Sequence, residues 1–167
     1  LLALWLAFGN PDRDFLRAAL ALALAVALAA GGELVARAES PPLSGGAAVS
    51  FALGAAGAAF LLMLHMTFGS ALTTILVGAS VVIPALATRL RRYPVLGGLS
   101  VAAVIVTVLR IATDPTIVGA EFLSTTPVFN ALLPGYGIPA LAFGFAAWQL
   151  ARTTAGRPRL VMEAAAA

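Results

Sequence analysis

Residues Phe15 to Ala36 read FLRAALALALAVALAAGGELVA, with Arg17 near the start, Glu33 near the end and no charge in the fifteen positions between them. A helix needs about 20 apolar residues to cross roughly 30 Å of hydrocarbon, so this run predicts a membrane span. Leucine and alanine alternate along it, and a period of two would ordinarily indicate a strand. Here both residue types are apolar and both are strong helix formers, whereas a strand of a membrane barrel would alternate apolar with polar. In helical register Leu20, Leu24 and Leu28 form one stripe and Ala19, Ala23 and Ala27 another. The alanine stripe is the expected close-packing face.

The rest of the chain agrees with this stretch. Of its 167 residues 61% are hydrophobic and only 10% charged, and the mean hydropathy is +1.01. Soluble domains carry about 25% charged residues, and a soluble fold could not hide this much apolar surface. The pI near 10.6 does not indicate a nucleic-acid partner, because the net charge of +3 is spread over short loops rather than gathered on one face. All ten basic residues are arginine and cysteine is absent, which removes disulfides, thiolate metal sites and cysteine nucleophiles. The chain begins Leu1-Leu2-Ala3-Leu4-Trp5 inside an apolar run, and is expected to be the C-terminal part of a longer protein. Its alanine-rich, lysine-free composition suggests a bacterial source.

Apolar runs bounded by charges, proline or glycine place complete spans at 15–36, 47–65, 71–88, 95–111 and 132–150, with 1–8 as the end of a sixth. The expected fold is therefore all-α, an integral-membrane helical bundle. Ser40-Pro41-Pro42 and Ser44-Gly45-Gly46 interrupt the helical pattern after the first complete span. A turn at Thr67-Phe68-Gly69-Ser70 is so short that the flanking spans must lie antiparallel. Pro84 is expected to kink the third complete span. Residues 112–130 form the longest connection, and residues 153–167 a flexible cytoplasmic tail.

Arginines near span ends concentrate on the cytoplasmic side of a bacterial inner membrane. Alternation places Arg37, Arg89, Arg91, Arg92, Arg152, Arg157 and Arg159 on one face and Arg13, Arg17 and Arg110 on the other. The C-terminus is then cytoplasmic. Arg89, Arg91, Arg92 and Arg152 are read as topology determinants.

The segment Pro127-Val128-Phe129-Asn130-Ala131-Leu132-Leu133-Pro134-Gly135-Tyr136-Gly137-Ile138-Pro139-Ala140-Leu141, leading into an alanine-rich span that closes with Arg152, resembles the large bacterial polytopic proteins grouped as domain of unknown function 2339. The resemblance covers about residues 71–152. It implies a multi-helix inner-membrane protein of which this is the C-terminal part, and it implies no activity and no catalytic residue.

Five polar residues remain as candidate substrate contacts. Arg110 and Asp114 lie four apart at the outer end of a span, where an interfacial ion pair competes with an anion contact. His65 is the only histidine and has no second ligand at metal spacing, so no metal is expected. Asn130 and Tyr136 flank a Gly135-x-Gly137-x-Pro139 element expected to form a bent start to the last span, with Tyr136 in the outer aromatic belt or beside a broken-helix cavity. Glu33 is expected to pair with Arg37 one turn away. Gly135-Tyr136-Gly137-Ile138-Pro139 lacks the third glycine of a dinucleotide site, and no cofactor is expected.

The leading expectation is a noncatalytic component, transport-like or a scaffold of envelope assembly. The alternative is a membrane enzyme acting on a lipid-linked or envelope substrate through the outer cluster of Asp12, Arg13, Asp14, Arg17, His65, Arg110, Asp114 and Glu121. The expected partners are the lipid bilayer and other membrane helices, from the same longer chain or from a neighbour.

Overall fold

The computed structural model describes residues 14–39, 45–113, 132–153 and 157–166, and among them every regular element is a helix. In chain order these are α1 (Phe15–Ala38), α2 (Ala47–Ser80), α3 (Val82–Leu90), α4 (Pro94–Thr113), α5 (Leu132–Thr153) and α6 (Arg157–Ala166). Residues 1–8, the expected end of a further span, and residues 114–131 lie outside the described residues.

Helix α1 begins where Asp14 caps it, its Oδ1 accepting from the Leu16 and Arg17 amides at 3.0 and 3.1 Å. An aspartate there satisfies donors that the first turn would otherwise leave open. Its packed face is Ala18, Ala21, Ala25 and Gly32, not the expected Ala19, Ala23 and Ala27, which are exposed. The tight point selects this register. A Cβ at Gly32 would lie 3.2 Å from Ala52 Cβ on α2, so the glycine must face the neighbour and the alanines at helical spacing from it follow.

Helix α2 is helical through all 34 residues, so the expected turn at Thr67-Phe68-Gly69-Ser70 is not a break in helical structure. It is a bend within it. Thr73 Oγ1 donates to the Leu64 carbonyl at 3.2 Å, whereas nine residues of straight helix would separate them by roughly 13.5 Å along the axis. The chain thus folds back between two apolar segments, Ala47–Phe68 and Leu72–Leu90.

The second of these contains a further break. At Val81 the ladder passes from α2 to α3, and Pro84 becomes the third residue of a new helix instead of an interior kink. Proline has no N–H and its ring collides with the carbonyl four residues earlier, here Ser80. The interruption consequently falls one turn upstream of the proline. Pro84 then sits in a first turn, where its missing donor costs little.

Among the described residues four segments are long and apolar enough to cross a membrane: Phe15–Ala38, Ala47–Phe68, Leu72–Leu90 and Pro94–Thr113. Helix α5, expected as a fifth, has the length but falls short in hydropathy, diluted by Pro134, Gly135, Tyr136, Gly137, Pro139 and Gln149. It also starts without the expected bent element. Residues 132–153 are continuously helical, with Pro139 inside.

The segment expected as a flexible tail contains helix α6, which packs back on α5 and α4. Met162 is completely buried in a cluster with Val81, Ala85, Val104, Phe143 and Leu150. That cluster is the core of the C-terminal half. Helices α4 and α5 touch each other little, and α6 bridges them.

A close approach across the bundle joins α2 to α5. A Cβ on Gly78 would stand 2.8 Å from Pro139 Cβ and 3.3 Å from its Cα, a distance no packed side chain tolerates. Gly78→Ala is expected to destabilise the fold by about 1–3 kcal/mol, read as a lowered midpoint of thermal unfolding in detergent. Gly54→Ala, where an added Cβ meets nothing within 4 Å, serves as the neutral comparison.

Candidate functional site

Side chains that bear charge collect at the two ends of the bundle. One end holds the C-terminus of α1, the N-terminus of α2, the Arg91-Arg92-Tyr93 connection and the C-terminus of α5. Its centre is Glu33. Arg37, one turn along the same helix, donates Nε to Glu33 Oε1 at 3.0 Å, as expected. Arg91 reaches the same carboxylate from the connection between α3 and α4, with Nε at 3.1 and 3.2 Å and also with Nη2. The Tyr93 hydroxyl donates to Oε2 at 3.3 Å. One carboxylate therefore ties α1 to the connection between α3 and α4.

This network is partly wet, with 28% of the Glu33 side chain and 48% of the Arg91 side chain exposed. Solvent screens such a pair, so its main effect is to fix position. Hydrogen bonding to Glu33 holds the Arg91 guanidinium above its ordinary value. Burial, and then the negative charge of Glu33, push the Tyr93 phenol up, so it stays protonated and donating. Beneath Tyr93 the backbone turns at Gly45, where φ is +78° and an added Cβ would stand 3.1 Å from the Tyr93 Cβ and 3.2 Å from its ring. Only glycine meets both demands. The Gly46 amide, at the start of α2, donates to Glu39 Oε2 at 3.3 Å.

A second polar group at this end binds α3 to α5. Arg89 Nε donates to Gln149 Oε1 at 2.8 Å, and the Thr88 and Thr153 hydroxyls are 2.6 Å apart. Gln149 is completely buried, and its Nε2 has no hydrogen-bond partner among the described residues. Arg152 lies 3.9 Å from the Trp148 ring centroid, a cation–π contact at a half-exposed ring. Gln149 was not singled out in the sequence. The available signal was an amide inside the apolar run Ala146-Ala147-Trp148-Gln149-Leu150, where an unpaired polar group is costly.

The other end is sparser among the described residues. Asp14 and Arg17 pair on the first turn of α1 at 3.1 Å. Arg110, at the end of α4, donates Nε to the Thr74 hydroxyl at 3.0 Å. His65 is half-buried on the bend of α2, next to the Leu64 carbonyl that Thr73 occupies. Tyr136 stands on an exposed face of α5. Asp114 and Asn130, together with Asp12, Arg13 and Glu121 of the outer cluster, lie outside the described residues. Of the five candidate substrate contacts, three are described: His65, Arg110 and Tyr136.

These contacts also group the arginines. Glu33 gathers Arg37 and Arg91, Arg92 follows Arg91, and the bond between Thr88 and Thr153 brings the end of α5 and Arg152 to the same level. Four topology residues thus share one end with Arg37. Among the described residues no group of three or more His, Cys, Asp or Glu could hold a metal ion. Compared with protein-family models, curated proteins and solved structures, the chain has no match.

Because the side-chain bonds of Arg91 all go to Glu33, the double variant Glu33→Gln with Arg91→Gln is expected to lower the thermal midpoint about as much as Glu33→Gln alone. Additive losses in this double-mutant cycle would show that the two side chains act independently.

Proposed function

We propose that the chain is a noncatalytic helical scaffold of a bacterial inner membrane, with its arginine-rich end in the cytoplasm. One observation carries this reading. Polar side chains at both ends hold one segment to another: Glu33 with Arg91, Arg89 with Gln149, Thr88 with Thr153 and Arg110 with Thr74. Groups that position helices are what a scaffold requires. The four apolar segments fit a polytopic protein, and the arginine bias fits a cytoplasmic face.

The resemblance to the family of domain of unknown function 2339 agrees with this placement. A transport-like role draws less support, because the Gly135-x-Gly137-x-Pro139 element is helical and not the broken helix that transporters use to bind cargo. The enzyme reading would need the outer polar residues to converge. Among the described ones Asp14 and Arg17 pair with each other on α1, and Arg110 bonds Thr74 beside the Thr73 hydroxyl that reaches the residue before His65.

Membranes washed with carbonate are expected to retain the full-length protein, and its release without detergent would overturn the membrane placement. A reporter fused after Arg159 is expected to be active only in its cytoplasmic form; activity of an exported reporter there would reverse the orientation. To separate scaffold from enzyme, His65→Gln and Tyr136→Phe are tested for support of growth in cells that depend on the protein. Both are expected to remain competent while Gly78→Leu fails, and loss of function in either with normal accumulation would favour the enzyme.

A further inference from the structure

Between α1, α2, α3 and α4 lies a groove of about 580 Å³. Its walls include Val26, Leu53, Gly57, Leu61, Ile83 and Leu99. Val26 and Ile83 are more than half exposed, so the groove opens sideways to the surroundings. The one hydroxyl on its wall, Ser80, donates to the Val77 carbonyl of its own helix at 2.7 Å. The lining therefore suits hydrocarbon.

Its placement limits the occupant further. The wall runs from Leu22 to Ala29 on α1 and from Leu53 to Leu61 on α2, about 10–12 Å along the axes. That is close to the depth of one leaflet in a hydrocarbon core of about 30 Å. One end also reaches the arginine face. Ala87 lines the groove, and its carbonyl accepts the Arg91 amide at 2.9 Å. Beside that end two guanidiniums, Arg37 and Arg91, share the single carboxylate of Glu33. Arg92 is exposed, and among the described residues it makes no hydrogen bond or ion pair.

We propose that this groove is a binding site for an anionic phospholipid of the arginine-side leaflet. One acyl chain lies against the walls of α1 to α4, and the headgroup phosphate sits beside Arg92 with the surplus positive charge of the Glu33 network. The inference rests on the membrane placement above. An anionic headgroup is selected because a zwitterionic one would gain little from uncompensated arginines.

The test uses full-length protein in phosphatidylcholine vesicles containing a trace of phosphatidylglycerol with a mid-chain diazirine, or the same probe on phosphatidylcholine. After illumination, adducts are mapped by mass spectrometry. The phosphatidylglycerol probe is expected to label groove residues about fivefold more than the phosphatidylcholine probe, the preference one arginine confers. Gly54→Trp projects into the groove from a position where an added Cβ meets nothing within 4 Å. It is expected to reduce groove labelling to the level at Leu20 and Leu34 on the outer face of α1, and Gly54→Leu serves if the tryptophan variant does not fold. Arg92→Gln is expected to bring the two probes together. Equal labelling of groove and outer face, or groove labelling that Gly54→Trp leaves unchanged, overturns the proposal. So does a groove shielded from both probes while Leu20 and Leu34 are labelled, since a helix would then occupy it. Protein that takes up neither probe anywhere fails the membrane placement itself.

Discussion

A backbone amide in hydrocarbon has no water to bond, so a chain of this composition is stable there only where each donor finds its acceptor nearby in sequence. That requirement explains why the described elements are helices throughout. It also explains how this chain changes direction. The bend near residue 68 keeps helical hydrogen bonding while Thr73 takes up the Leu64 carbonyl. The break at Val81 is a single residue whose amide bonds the Gly78 carbonyl at 3.4 Å. Reversals that would cost little in water are made here with almost no backbone left open.

With the backbone satisfied locally, helix association falls to close packing and a few polar contacts at the ends. Gly32 against Ala52 and Gly78 against Pro139 mark where the backbones approach closely. The leucines of α1 that these contacts leave outside, such as Leu20 and Leu34, are exposed. In a bilayer that exposure is favourable. Polar contacts then hold the ends in register, with Glu33 serving α1 and Gln149 serving α5.

Much of this was legible in the residues. The length and purity of the apolar runs give the helices, and charges at their ends give which ends lie together, because a guanidinium is costly in hydrocarbon wherever the helix goes. Choices among similar residues were not legible. Alanine occurs on every side of α1, so composition could not distinguish Ala19-Ala23-Ala27 from Ala18-Ala21-Ala25, and only the fit of Gly32 against α2 decides. The candidate site follows the same rule. Glu33 with Arg37 is a local spacing and was visible, whereas Arg91, Tyr93 and the pairing of Arg110 with Thr74 depend on how distant segments meet. Helix α6 was missed because its sequence is too polar for a span; a single Met162 fitting the cluster is what draws it back.

The contact between Gly78 and Pro139 brings together two helices whose hydrogen-bond ladders are both weakened near that point. Proline 139 removes a donor inside α5, and the interruption at Val81 lies less than one turn from Gly78. A bundle normally resists flexing because a weak turn in one helix is splinted by an intact turn in its neighbour. Here the weak turns adjoin, with no side chain on Gly78 to interlock them. The C-terminal half therefore has a built-in plane of compliance, and any tilt of its arginine-bearing ends relative to the opposite face is concentrated there.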